Sequence, residues 1–304
     1  MLKRFEIMNG TIMPCERGDS PLLVFETPDD TEKELIRRLG IDDHTLNSSL
    51  DPDEISRLEF EDEYIGIILK RPKNYSSQEQ LMFRVSSMGV FLFKDRMVII
   101  VSDNLPVFAG KQFQKVNSMN ELLLKMIYSS ITHFLDHLRV INMISNEIEQ
   151  KVNSSMENKY LLHMFTLEKS LVYYLNSINS NGMLLEKLKN NSTKMTFTPD
   201  HLELLDDIMI ENLQCYKQAE IYSDILASMM DARASIVNNN LNVLMKTLAQ
   251  ITLGVMVPTF VVSLFSMNVD FPYQHSGYYT FFVIIVVSLI SPIGLMLFFK
   301  YKRW

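Results

Sequence analysis

After Lys246, only Asp270 carries a charge until Lys300. The first charge-free run, 247 to 269, would span roughly 34 Å as a helix at about 1.5 Å per residue, and the second, 271 to 299, is longer. A soluble core helix seldom stays free of charge on every face for this distance, and here two such runs follow one another. The alternative, a buried soluble hairpin, therefore gives way to two membrane helices joined by a short connection. Hydrophobic residues make up 47% of the chain, an ordinary share, so the membrane part is a concentrated minor segment.

Basic residues give the orientation. The ending "KYKRW" carries Lys300, Lys302 and Arg303, whereas the connection from Asn268 to Tyr278 has neither Lys nor Arg. The tail is expected in the cytoplasm and the loop outside. With two spans, the first 246 residues fall on the cytoplasmic side as well. The opening "MLKRFEIMNG" has no apolar run of signal-peptide length, which agrees with this expectation. The segment from residue 247 sums to +2, leaving −9 of the net −7 on the preceding part. That acidic balance does not suit nucleic acid but suits cations. Cys15 and Cys215, far apart, make neither a disulfide framework nor a thiolate metal site.

The cytoplasmic part divides by pattern. Residues 1–113 hold short β-type runs, "PLLVFET", "YIGIILKRP", "MGVFLF" and "RMVIIVSD", with a helix signal in "DDTEKELIRRLGI", and so predict an α/β domain with a mixed sheet. Residues 114–198 have apolar residues at helical spacing. Thr198 as N-cap and Pro199 at the first helical position then open a helix over 199–267 that runs as a soluble stalk into the first membrane span. An external loop over 268–278 and a second span with basic tail over 279–304 complete an α+β membrane protein.

Catalytic signatures are missing: no P-loop, no G-x-S-x-G, no H-E-x-x-H, so neither an enzyme nor nucleotide hydrolysis is expected. His133 and His137, one helical turn apart around Asp136, have a spacing able to bind a metal, but a wet helix face explains them equally well. The acidic run "LEFEDEY" reads as a solvated approach to a strand rather than a metal cluster. In the first span, Thr252, Thr259, Ser263 and Ser266 recur at spacings of seven, four and three, so they share one face with Met256, Leu248, Met245 and Asn242. Periodicity alone leaves helix packing and pore lining equally open.

The stretch "NVLMKTLAQITLGVMVPTFVVSLFSMN" resembles the first membrane helix of the CorA family of magnesium channels. That family's signature has a similar N-x-x-M-K-x-L-T run, a mid-membrane Met-Pro with a Thr just after, and a closing Gly-Met-Asn. Asn242, Met245, Lys246, Leu248, Met256, Thr259, Met267 and Asn268 fall at family positions without a gap. "DEISRLEFEDEYIGIILKRP" and "FFKYKRW" extend the resemblance over essentially the whole chain. Three residues depart from it: Ser266 replaces the signature glycine, Ala249 a threonine, and the proline sits one residue late at Pro258.

The resemblance implies a homopentamer in the plasma or inner membrane, partnered by the lipid bilayer, with five copies of the first span lining a passive divalent-cation pore. Its cargo would be Mg2+, with other divalents such as cobalt possible. Ser266, Met267 and Asn268 would form the selectivity filter. Asn242, Met245, Leu248, Thr252, Met256, Thr259 and Ser263 would line or gate the pore. It further implies regulatory Mg2+ bound between neighbouring cytoplasmic domains, for which Asp207, with Asp206 beside it, and Glu79 in "KNYSSQEQ" are the candidates. Because Ser266 departs from the signature, a zinc or other divalent transporter of the ZntB-like branch stands as an alternative, as does a membrane-anchored sensor or scaffold that does not conduct. If a glycine at 266 supplied a positive φ, serine there would either reshape the turn and change selectivity, or the chain stays helical and Ser266 merely adds hydroxyls to the mouth. The second account is the expectation.

Overall fold

The computed structural model describes residues 1–75, 81–103, 107–108, 110–154, 158–267 and 277–302. They form two compact units, Met1–Met230 and Asp231–Trp304.

The first unit is built on a mixed seven-stranded sheet of β1 (Leu2–Met8), β2 (Thr11–Pro14), β3 (Leu22–Glu26), β4 (Arg57–Phe60), β5 (Ile65–Pro72), β6 (Val85–Leu92) and β7 (Met97–Val101), in the order β2-β1-β3-β7-β6-β5-β4. Among the described residues only β3 and β7 pair in parallel, Val24 opposite Ile99; the other pairs are antiparallel. The central strands are buried on both faces, which is why they read as unbroken apolar runs rather than alternating ones. Leu22, Val24, Met97, Ile99 and Val101 point into one core; Leu23, Phe25, Val98 and Ile100 point into another.

The smaller core is covered by α1 (Asp30–Arg38) and α2 (Asp43–Leu50). Each starts where an aspartate accepts from a first-turn amide: Asp29 from Glu32 N, with the Glu32 carboxylate accepting in return from Asp29 N, and Asp42 from Thr45 N. A glycine is required under α2. A Cβ at Gly89 of β6 would lie 2.6 Å from Ser49 Cβ, so the close approach of helix to sheet depends on Gly89.

The larger core is covered by α3 (Met119–Ser154), α4 (Asn158–Asn190) and the first part of α5 (Pro199–Phe265). β4 pairs with β5 only as far as Ile68, which leaves the backbone of Lys70 without a strand neighbour on that side. Asn181 of α4 takes the place of the missing strand: its Oδ1 accepts from Lys70 N (2.9 Å) and its Nδ2 donates to Lys70 O (2.8 Å). Beside it Ser56 N donates to Ser180 Oγ (2.7 Å) and Ser56 Oγ to Asn181 Oδ1 (2.8 Å). These bonds tie the end of the sheet to the helical layer with every group satisfied.

At the start of α5, Thr198 Oγ1 accepts from His201 N (3.3 Å), and Thr198 N donates to His201 Nδ1 (3.2 Å). It is a reciprocal cap in which a histidine does what glutamate does in a capping box. The second unit consists of the later part of α5 and α6 (Tyr278–Tyr301). No residue of α6 is buried. Pro292 has no amide for the Ser288 carbonyl four residues before it; Ser291 Oγ donates there instead, at 3.0 Å.

Candidate functional site

Both α5 and α6 are long and apolar enough to cross a membrane, with windows of mean hydropathy 1.9 and 2.7 that are 0% and 6% buried. Such helices are at home where the surrounding medium is itself apolar.

Asn242, Met245, Leu248, Thr252, Met256, Thr259, Ser263, Ser266 and Met267 are all exposed in the second unit. At about 100° per residue those from Asn242 to Ser263 form one stripe along α5, and Ser266 and Met267 follow just past its end at Phe265. Three of the four hydroxyls in this set are committed in one sense only. Thr252 Oγ1 donates to Leu248 O (2.8 Å), Thr259 Oγ1 to Val255 O (2.8 Å) and Ser266 Oγ to Ser263 O (2.9 Å). Each hydroxyl has one proton to give, so what these three present outward is oxygen lone pairs, acceptors without a donor. Asn268 lies outside the described residues.

The regulatory candidates separate. Asp206 is held by Lys189 at 2.8 Å on the surface of the first unit. Asp207 is exposed and has no ion-pair partner among the described residues. Glu79 lies outside the described residues.

The histidine pair corrects one expectation. His133 and His137 do not occupy a wet face: His137 is buried and His133 half-buried. His137 Nδ1 is 2.6 Å from Tyr174 Oη on α4, the two rings stack, and Phe83 meets His137 edge-on. Burial pushes the His137 imidazole down to about 4, with His133 adding to the effect, and lowers His133 as well, helped by Arg71. These are neutral packing groups. Tyr174, which holds His137, gives no signal in the sequence, since a tyrosine in a helical repeat looks like any core aromatic. Burial likewise pushes the Cys215 thiol up to about 12, far from a thiolate. No group of three or more His, Cys, Asp or Glu able to hold a metal occurs among the described residues.

The sequence profile of the CorA-like Mg2+ transporter protein family matches residues 23–303. A "Cobalt/magnesium transport protein CorA" from Methanocaldococcus jannaschii is 23% identical over 292 residues, covering 92% of this chain and 89% of that protein. The complete structure of a CorA magnesium transporter from the same organism superimposes with a TM-score of 0.81 at 21% identity, over 98% of this chain and 96% of the other. A ZntB cytoplasmic domain from Vibrio parahaemolyticus superimposes with a TM-score of 0.61 at 12% identity, over 78% and 98%. Both likenesses extend to the fold. Members of the matched family are membrane ion transporters, not enzymes, and with its two candidate spans this chain belongs to that CorA-like Mg2+ transporter family of divalent-cation transporters.

Proposed function

We propose that the chain is one subunit of a homopentameric, passive Mg2+ channel of the plasma or inner membrane, with both termini cytoplasmic and five copies of the later part of α5 lining the pore. The observation that carries this reading is the stripe of outward-facing acceptors on an otherwise apolar helix. Mg2+ surrenders its water reluctantly, and the water shell of a cation points its hydrogens outward. A wall of hydroxyl oxygens, with the Asn268 amide at the external mouth, accepts those hydrogens and lets the ion pass hydrated. Leu248 and Met256, on the same stripe, would form the apolar constrictions that close by dewetting. No ATP is needed, because an inside-negative potential favours a divalent ion by roughly 4.6 kcal/mol per 100 mV.

For regulation, Asp207 is the stronger candidate of the adjacent pair, since Asp206 already has Lys189. Intracellular Mg2+ at Asp207 would stabilise the closed state, and Asp207→Ala would then conduct with reduced inhibition by internal Mg2+. The departure at Ser266 favours a second reading, zinc transport of the ZntB-like kind. Against it, the stripe offers none of the nitrogen, thiolate or carboxylate ligands zinc prefers.

The test is ion flux into liposomes holding the purified protein, with Mg2+, Co2+, Ni2+ and Zn2+ compared. Mg2+ entry that is lost in Asn268→Ala without dispersal of the pentamer is expected. Absence of flux for every ion would return the chain to the sensor reading, and a native mass of a monomer or dimer would remove the pore.

A further inference from the structure

Within the second unit α5 and α6 enclose a groove of ≈ 540 Å³, bounded on α5 by Thr247, Gln250, Ile251 and Gly254. That volume lies within the range of about 300–1,000 Å³ typical of sites for small molecules. At about 100° per residue these four residues come out roughly 160–260° around the axis from Thr252, on the side of α5 away from the acceptor stripe. The groove is therefore separate from the face assigned to ions.

Its walls are apolar and one end is not. Leu295 and Phe299 of α6 supply the apolar side, and Lys300 closes the end, with Lys302 exposed two residues on. Gly254 keeps the floor open: a Cβ there would meet nothing within 4 Å, so the space is free for a flexible chain. Among the described residues Lys300 has no carboxylate to answer it. Beyond Asp231, no acidic residue occurs among the described residues of this unit. An apolar trough with an uncompensated ammonium at one end matches an amphiphile with an anionic head, and basic pockets between membrane helices are suited to anionic lipid heads.

We propose that this groove is a phospholipid site, in which an acyl chain lies between α5 and α6 and the anionic headgroup is bound by Lys300. The site rests on the membrane-spanning reading of the two helices and not on conduction. Its test reads lipid retention, so its failure and the failure of the channel reading are distinguishable.

The experiment uses the full-length protein, delipidated in detergent and given equal amounts of phosphatidylglycerol and phosphatidylcholine of the same acyl chains, with bound lipids counted by native mass spectrometry. Phosphatidylglycerol should be retained in preference by about fivefold, the effect of one basic residue near an anionic head. Lys300→Gln should lose that preference. Gly254→Leu, which fills the groove, should lose retention of both lipids. Should Gly254→Leu fail to assemble, the headgroup preference of Lys300→Gln decides alone. Equal retention of the two lipids by the unaltered protein, or unchanged retention in Gly254→Leu, would overturn the proposal in favour of unspecific lipid around the helices. A thiol introduced by Gly254→Cys that is shielded from maleimide in the delipidated oligomer would overturn it in favour of a second copy seated in the groove.

Discussion

The first unit holds a buried apolar core whose gaps polar groups close, whereas no described residue of the second unit is buried. Phe25, Phe91, Phe134 and Tyr174 are at most 1% exposed, yet Phe260, Phe282 and Leu289 of the second unit are each more than 60% exposed. The same chemistry has opposite placement, as the membrane-spanning reading of α5 and α6 requires. Water rewards burial of apolar area, and hydrocarbon does not. The hydrogen bonds divide in one respect. In the first unit Ser170 Oγ donates back to Thr166 O (2.8 Å) and also accepts across elements from Phe83 N (3.0 Å), whereas the hydroxyls of Thr247, Thr252 and Thr259 in α5 donate to their own helix. A helix in lipid has to satisfy its polar groups internally.

The sharpest way to break this contrast is to place one charge in each medium. Leu289 and Leu162 are almost equally exposed, 63% and 66%. Leu289→Asp should cost about 2.5–3.5 kcal/mol of insertion free energy and deplete the chain from the membrane fraction. Leu162→Asp should change stability by no more than about 0.5 kcal/mol in a thermal melt. Equal tolerance of both substitutions would mean that α6 does not lie in lipid.

Next in size is the loss of Asn181. Asn181→Ala strands the amide and the carbonyl of Lys70 in a buried place, and at about 1–3 kcal/mol for each buried group left unsatisfied, a loss of at least about 2 kcal/mol is expected in denaturant unfolding of the full chain. A loss below about 0.5 kcal/mol would show that water replaces the amide and that the junction is wetter than its burial implies. The second unit should be untouched, so membrane integration is the internal control.

A smaller effect is confined to acid. His137 is neutral in the fold, with its imidazole held down to about 4, while in the unfolded chain it takes up a proton below about 6.5. Between those values the unfolded state binds the extra proton, so stability falls as pH falls through that window and is unaffected by His137 above it. His133, lowered in the same direction, adds to the slope. At pH 5.5 the His137 contribution is on the order of 1 kcal/mol. His137→Asn should flatten the melting-temperature profile between pH 6.5 and 4 relative to the unaltered chain; an unchanged slope would place the acid sensitivity elsewhere.

Much of this division was legible in the sequence. The apolar runs locate β3, β5, β6 and β7, because strands covered on both faces carry no polar alternation to hide them. β1, β2 and β4 escaped, since "LKRFEIM", "TIMP" and "RLEF" are half-exposed and their assignment depends on neighbours that the sequence does not name. The two candidate membrane helices are plain from the missing charges. The histidine pair misled because two polar residues one turn apart look solvated until a partner 37 residues away, Tyr174, is placed against them. The groove beside Gly254 had no sequence signal beyond a glycine and a proline in apolar helices, features that packing alone also produces.

The smallest effect is expected where the sequence raised the sharpest question. A glycine in the place of Ser266 would matter if the backbone there took a positive φ, which serine adopts at a cost of roughly 1 kcal/mol. Among the described residues with positive φ, Ser266 is not one. Its amide donates to Ser263 O at 3.2 Å, and its hydroxyl donates to the same oxygen at 2.9 Å. The helix therefore tightens to three-residue bonds at its end, and the serine helps to close that turn rather than straining it. Ser266→Gly removes one side-chain hydrogen bond at an exposed helix end, worth about 0.5–1 kcal/mol, and relieves no strain. Mg2+ flux should persist within about twofold, the order among Mg2+, Co2+, Ni2+ and Zn2+ should be the same, and pentamer mass should not change. A switch in the preferred ion would show that position 266 shapes the filter itself, and the assignment of ion contact to Asn268 would then have to be withdrawn.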